Sequence, residues 1–496
     1  MVFWLMLRKT ANVFIGNCGD IMLDNIDRYG NNTALIHNNN RMNYYELSKA
    51  IKDTAFGIKE KICHDEIAIC MNSGIEQIIC VLGAVYSGKS IYLLHPGVET
   101  NTISILIEEG VFFVSDDDNW CKLESKGCDA ISFKSIKSNY YKKSSSRESK
   151  ANIIFSTSGT TSVHTKFVKL PYKSLMLKSQ MILKTIEIEP TDRTLMLSPL
   201  CFIQSFWTAL IHLYSGACIC IDRFCASSFN DMLRIYGITT FIIPPSIVRG
   251  VLPYLDKSHP IRLLGTGGDY MDIHTLQRLG KHWADTLYYD VYGCTETCAA
   301  DIIFGPVKLG DFESEAKPIG KSTEFSSIRI VDEKRNEVAS FIEGEIEIKS
   351  ALTPTKYHLR ESAITENDGY FRTRDIGYHD DNDNIYYLGR VSGKIVYNGQ
   401  KIIPQEVEEI LYRIESIQSA VLVGEAHPVL GEKPILYVVG EKLDKEEIIK
   451  ILRQYLEPYK IPKEVNICTQ LPLTNSCKIK RMPSAFVKVE EFGYNG

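Results

Sequence analysis

Residues 194–245 read TLMLSPLCFIQSFWTALIHLYSGACICIDRFCASSFNDMLRIYGITTFIIPP. TLMLSP (194–199), ACICID (217–222) and TTFIIPP (239–245) are short apolar runs stopped by proline or a charge, the pattern of strands buried on both faces. Between them, SFWTALIHLYSG (205–216) and SSFNDMLRIYGI (227–238) place apolar residues at helical spacing and close near glycine. Strand, helix, strand, helix, strand in that order predicts a parallel α/β unit. The same order precedes it. MNYYELSKAIKDTAFGIKE (42–60) reads as an amphipathic helix, EIAICM (66–71) as a buried strand, EQIICVLGAVYSG (76–88) as a helix closed by glycine and SIYLLHP (90–96) as a strand stopped by proline. Two α/β subdomains are expected within the first 250 residues.

The pattern changes from about Gly310. SSIRIVD (326–332) and GEIEIKS (344–350) alternate apolar and polar residues, which predicts a β-rich subdomain. Beyond GRVSG (389–393), the helix-like QEVEEILYRI and KEEIIKILRQYL flank the strand-like SAVLVGEAH and PILYVVG. The expected architecture is α/β: a large domain over 1–389, with two α/β subdomains and a β-rich part from about 310, and a small mobile α+β domain over 390–496.

Composition narrows the function classes. With 496 residues, 44% hydrophobic and 24% charged, the chain is long enough for several cores. A formal net charge of -5 supplies no general attraction for nucleic acid, so no nucleic-acid partner is expected. The opening MVFWLML is too short to span a bilayer, lacks the basic front end of a signal peptide, and no later stretch reaches about 18 uninterrupted apolar residues. The 14 cysteines are scattered, mostly in apolar runs, and read as reduced thiols of a cytoplasmic protein. KSNYYKKSSSRESKAN (137–152) reads as a solvent-facing basic loop.

Five segments can carry chemistry. After strand-like NIIF, STSGTTSVHTK (156–166) offers hydroxyls and approachable backbone N–H groups at Ser158, Gly159, Thr160 and Thr161, with a cation at Lys166; it suits phosphate oxygens but also a surface turn, and it is no Walker loop. LLGTGGD (263–269) is a glycine-rich strand exit that lets a flat group approach at Gly267 and Gly268, or simply a tight turn. DVYGCTETCAADI (290–302) supplies an aromatic face at Tyr292, a turn at Gly293, a hydroxyl at Thr295 and a possible Mg²⁺ ligand at Glu296; the same residues also suit a capped helix start. In YFRTRDIGYHDDNDNIYYLGR (370–390), Asp375 is able to accept both hydroxyl hydrogens of a ribose and Arg390 to bridge ribose or phosphate oxygens, although the two also suit a surface salt bridge. DDNDN lacks the glycine and terminal glutamate of a calcium loop and reads as a hairpin turn. LPLTNSCKIKR (471–481) presents Lys478, either as part of a basic tail or as a group carried into a distant site.

In this order and spacing, STSGTTSVHTK, LLGTGGD, VYGCTET, YFRTRDIG, GRVSGKIVYNGQKIIPQEVEEI and PLTNSCKIKR resemble the adenylate-forming superfamily of acyl-CoA synthetases, nonribosomal peptide adenylation domains and luciferases. The resemblance spans roughly residues 40–485, with weaker support from HPVLGEKP (427–434) and YKIPKEV (459–465). It implies ATP-dependent activation of a carboxylic acid to an acyl adenylate with release of pyrophosphate, then transfer to a thiol, CoA above all. By the same resemblance Ser158, Gly159, Thr160, Thr161 and Lys166 belong to the phosphate loop, and Gly267 and Gly268 lie beside adenine. Tyr292 packs on the adenine with Gly293 and Thr295 close by, Glu296 helps to place Mg²⁺, and Asp375 and Arg390 serve the ribose. Lys478 approaches the carboxylate and α-phosphate, and Ser392 falls at the hinge. SPLCFIQSFW (198–207) occupies the acyl-pocket region, with Phe202, Phe206 and Trp207 available as walls.

The chain departs from that pattern at Ser162, His164 and Phe167, where the loop usually has glycine, proline and glycine; at Ser392, usually a charged residue; and at Cys477, usually glycine. CFIQSFW also lacks the Asp with which many amino-acid-activating relatives hold the substrate ammonium, which favours an acid without an α-amine unless Asp301 compensates. Two alternatives stand beside the CoA ligase: a stand-alone adenylating enzyme that loads an amino or aryl acid onto the phosphopantetheine of a separate acyl or peptidyl carrier protein, and a noncatalytic nucleotide-binding scaffold.

Overall fold

The computed structural model describes residues 21–136, 150–157, 165–257, 259, 261–313 and 316–486. Among them four sheets organise the chain. The first has six strands in the order Ala130–Ser132, Phe112–Ser115, Glu66–Cys70, Ser90–Leu94, Asn152–Thr157 and Lys166–Pro171, all parallel except the last. The second has nine, and its six parallel inner strands run from Leu287–Tyr292 through Leu263–Gly267, Thr240–Ile243, Arg193–Met196 and Cys218–Ile221 to Thr33–His37.

The predicted elements around Thr194–Pro245 are present as the strands Arg193–Met196, Cys218–Ile221 and Thr240–Ile243 and the helices Ile203–Tyr214 and Phe229–Tyr236. Gly237 closes the second helix at φ +62°, a left-handed conformation that glycine adopts without a Cβ clash. The helix Tyr44–Lys61 begins at a capping box, in which Asn43 Oδ1 accepts from the Glu46 N–H at 2.8 Å and Glu46 accepts from the Asn43 N–H at 2.9 Å.

Two boundaries differ from the sequence expectation. The second sheet does not stop near residue 250, and the β-rich part does not start at 310. The strands Ile302–Lys308 and Lys321–Ser322 pair antiparallel onto Leu287–Tyr292, and Thr33–His37 with Asn40–Asn43 closes the opposite edge. Both additions cover parallel edges that would otherwise present unpaired backbone groups. The four-stranded antiparallel sheet therefore runs over Ser326–Val331, Gly344–Ser350, Phe371–His379 and Ile385–Arg390. DDNDN is the hairpin turn between its last two strands, with Asp380 accepting from the backbone N–H groups of Asn382 and Asn384.

After a single 3₁₀ turn, Val391–Gly393, which contains Ser392, the chain forms a five-stranded sheet with the helices Pro404–Tyr412 and Lys445–Tyr455 and a core of its own that includes Val407, Leu411, Leu436 and Leu452. This unit rests against the second sheet. The Arg249 guanidinium lies 4.5 Å over the Tyr412 ring, the Tyr270 hydroxyl donates to Glu409 at 3.1 Å, and Gln418 donates to the Gly250 carbonyl at 3.0 Å. Every cysteine among the described residues is unbridged, and no helix among them is long and apolar enough to cross a membrane.

Candidate active site

The ends of two neighbouring parallel strands form the floor. Leu263–Gly267 exits at Gly267 and Gly268, the latter at φ +81°. A methyl group built on Gly267 would lie 2.7 Å from the Val291 carbonyl oxygen, so the backbone here approaches its neighbour as only glycine allows. The adjacent strand Leu287–Tyr292 ends in Gly293 and the short 3₁₀ turn Thr295–Thr297, with no α-helix following. Cys298, Ala299 and Ala300 then take φ values of +67°, +57° and +51°. Three consecutive left-handed residues with side chains cost roughly 1 kcal/mol or more each, and the surrounding structure must hold them.

A buried clamp does so. Lys178, from the helix Tyr172–Thr185, donates to Asp301 Oδ1 at 2.9 Å and to the Ala300 carbonyl at 3.1 Å, while Thr297 and Ser326 donate to the Asp301 carboxylate. Asp301 is fully buried and engaged in this way. The expectation that it compensates for a missing ammonium partner is therefore corrected, because its charge is already matched by Lys178.

Across the cleft, antiparallel pairing sets Asp375 opposite Arg390. The Tyr292 hydroxyl donates to Asp375 Oδ2 at 2.6 Å. Arg390 Nε lies 2.7 Å from Asp375 Oδ1, close enough for an ion pair but poorly aimed for a hydrogen bond, so this buried oxygen has no well-formed donor. Burial pushes the Asp375 carboxyl above its ordinary range, and Arg390 and Tyr292 pull it only part of the way back. Glu296 follows the same logic. Water still reaches part of its surface, yet enough protein surrounds it that burial raises its pKa against the pull of its own backbone N–H, of Tyr357 and of Lys166. The Tyr357 hydroxyl donates to Glu296 Oε1 at 3.4 Å, and Lys166 Nζ sits 5.0 Å from the centre of the Tyr357 ring.

Lys478 arrives from the small unit on a tight turn, in which the Thr474 N–H donates to the Lys478 carbonyl and the Lys478 N–H to the Thr474 hydroxyl. Cys477 precedes it at φ +60°, so the backbone keeps the conformation that a glycine would adopt freely. A methyl group built on Gly268 would meet Lys478 Cε at 3.3 Å and Nζ at 3.6 Å. Asp375 also feels the Lys478 charge. Lys478 thus meets Gly268 and its charge reaches Asp375, which Tyr292 and Arg390 contact, while Glu296 and Lys166 meet at Tyr357.

Ser158, Gly159, Thr160 and Thr161, together with Ser162 and His164, lie outside the described residues. Phe167 is buried and packs edge-on against Tyr92. Of the aromatic residues expected to wall the acyl pocket, Phe202 stays half-buried at the start of the helix Ile203–Tyr214. Phe206 packs on Phe155, and Trp207 joins the core around Tyr289. Sequence reasoning passed over Tyr357 and Gln204. The signal for Gln204 was one amide in the first turn of a largely apolar helix.

Two family models match. One, described as AMP-binding enzyme, covers residues 23–358, and the other, AMP-binding enzyme C-terminal domain, covers residues 406–478. Among similar proteins are a 2-succinylbenzoate–CoA ligase of Lactococcus lactis, 26% identical over 428 residues (84% of this chain, 89% of the relative), and an indoleacetate–CoA ligase of Aromatoleum aromaticum, 28% identical over 341 residues (66% of each). The solved structure of an o-succinylbenzoate CoA synthetase from Bacillus subtilis with its acyl-adenylate intermediate superposes with a TM-score of 0.80 at 22% identity, covering 95% of this chain and 98% of that one. An anthranilate CoA ligase with anthranoyl-AMP superposes with the same score at 18% identity, covering 92% and 95%. The chain belongs to the AMP-binding enzyme family.

Proposed function

We propose that the protein is an ATP-dependent, AMP-forming ligase that joins an aromatic carboxylic acid to the thiol of CoA. The observation that carries this reading is the meeting of Lys478, from the small unit, with the Gly267–Gly268 turn beside the Tyr292–Asp375 pair. A cation stands where a carboxylate and an α-phosphate would have to be brought together.

In the first half-reaction a carboxylate oxygen attacks the α-phosphorus of ATP and pyrophosphate leaves. No protein nucleophile is needed. Asp375, whose Oδ1 has only the Arg390 ion pair beside it, accepts from ribose hydroxyls, Arg390 steadies the same sugar, and Lys478 offsets the charge that accumulates as two anions meet. Glu296 is a half-buried oxygen donor to which Tyr357 donates at 3.4 Å, and no cluster of three or more metal-ligating side chains occurs among the described residues. That donor set would give a Mg²⁺ one carboxylate contact through Glu296, and the ion when bound would supply further charge neutralisation. In the second half-reaction the CoA sulfur attacks the acyl carbon and AMP leaves. Rotation near Ser392 withdraws Lys478 and brings the segment around residues 393–399 to the thiol.

Three points support an aromatic acid without an α-amine. CFIQSFW holds no Asp, Asp301 is sealed by Lys178, and the relatives named above act on 2-succinylbenzoate and indoleacetate. The test is pyrophosphate exchange with 2-succinylbenzoate, indoleacetate, anthranilate and a set of amino acids, followed by thioester formation with CoA or with a phosphopantetheinylated carrier protein. Exchange with an aryl acid and transfer to CoA are expected. Exchange confined to amino acids, or transfer confined to the carrier, would replace the reading; AMP binding with no exchange for any acid would favour a scaffold.

A further inference from the structure

Gln204 is the second residue of the helix Ile203–Tyr214, and its amide lies across the two glycines that Lys478 also approaches. A methyl built on Gly267 would lie 3.7 Å from Gln204 Nε2, and one built on Gly268 would lie 3.1 Å from Gln204 Oε1. Nε2 is buried and has no hydrogen-bond partner. A buried amide nitrogen without an acceptor is an expensive feature, rarely retained unless a ligand supplies what is missing.

We infer that Gln204 Nε2 donates to the carboxylate oxygen of the acid that becomes the acyl carbonyl of the adenylate. Gln204 is then a substrate-binding residue: a neutral donor holds one oxygen while Lys478 attends the oxygen that attacks phosphorus. This rests on the adenylating reading above.

The experiment is calorimetric binding of two probes, AMP and 5′-O-(N-benzoylsulfamoyl)adenosine, to the full chain and to Gln204→Leu. The sulfamate carries the acyl carbonyl, and AMP lacks it. Gln204→Leu is expected to weaken the sulfamate at least ~10-fold and to leave AMP within ~2-fold, as losing one donor to a single oxygen should. Equal affinity of both proteins for the sulfamate, or a parallel loss for both probes, overturns the assignment of Gln204 alone. A wild-type chain that binds neither probe takes the adenylating reading down with it. Should Gln204→Leu fail to fold, Gln204→Glu is read by the same ratio: it keeps the shape but turns acceptor atoms toward the carbonyl.

Discussion

Asp301 and Asp375 are both buried acids, and Tyr292 touches both. Its backbone carbonyl accepts from the Asp301 N–H, and its hydroxyl donates to the Asp375 carboxylate. Their surroundings differ in kind. Asp301 has Lys178, Thr297 and Ser326 arranged around it, so its charge is matched and its oxygens are satisfied. Asp375 is pushed upward by burial, and its Oδ1 has only the ion pair with Arg390 beside it, with no well-formed hydrogen bond. A saturated acid serves as an anchor, whereas an acid left short of donors is ready for a ligand. Here the anchor also steadies the left-handed run Cys298–Ala300 on which the position of Glu296 depends.

The strongest way to break the anchor is Lys178→Met, which leaves Asp301 buried without its cation. Unfolding in urea should show a loss of about 3–5 kcal/mol, and Lys178→Met combined with Asp301→Leu should recover much of it, because removing both charges leaves nothing uncompensated. A loss below 1 kcal/mol for the single variant would place the support of that turn elsewhere.

On the ligand side, Lys478→Ala removes a cation whose charge reaches Asp375 without a salt bridge of its own among the described residues. Its expected cost is therefore in chemistry and not in folding: pyrophosphate exchange falls ~100-fold or more while the melting temperature holds. Thioester formation from supplied acyl adenylate should fall much less. Equal losses in both half-reactions would contradict the alternating role of the small unit.

A third acid sharpens the contrast by its pH dependence. Burial opposes ionisation of Glu66, but hydrogen bonds from His358, Lys169 and Tyr92 together outweigh it and hold the carboxyl at about 2, against 4.5 ordinarily. A carboxyl lowered in the folded state contributes stability that is complete above the unfolded pKa and is lost as pH falls through the folded one. Glu66→Gln should thus cost about 2 kcal/mol at neutral pH, with the difference from wild type shrinking between about pH 4.5 and 2. A difference constant across that range would mean that the network holds Glu66 by shape alone.

The strands of both parallel sheets were legible because CICI, TFII and EIAIC are continuous apolar runs, and burial on both faces demands such runs. The extent of the second sheet was not, because Thr33–His37 pairs with Cys218–Ile221, and no local period encodes a partner so distant in the chain. The same limit governs the site. Tyr292 and Asp375 stand 83 positions apart and Tyr357 and Glu296 61 apart, so each reads singly as an aromatic or an acid in a turn, and only the resemblance grouped most of them. Tyr357 and Gln204 escaped notice because their meaning lies in what they face.

The smallest effect expected is at Cys477. Its φ of +60° costs a residue with a side chain about 1 kcal/mol, and glycine would relieve that while gaining freedom in the unfolded chain. The thiol is not idle. It packs against the core around Phe241 and Trp283, and burial raises its pKa, while Ser246 donates to the Cys477 carbonyl. These terms nearly cancel, so Cys477→Gly should change stability by less than about 0.5 kcal/mol and pyrophosphate exchange by less than ~2-fold. Cys477→Val separates the two contributions. It keeps an apolar side chain in the core but places a β-branched residue in the left-handed region, so it should lose about 1–2 kcal/mol and draw Lys478 away from Gly268, with a larger fall in exchange than in AMP binding. If valine were as well tolerated as glycine, the turn would not be holding Lys478 through its backbone, and the contact with Gly268 would have to arise from the way the small unit seats through Arg249 and Tyr412.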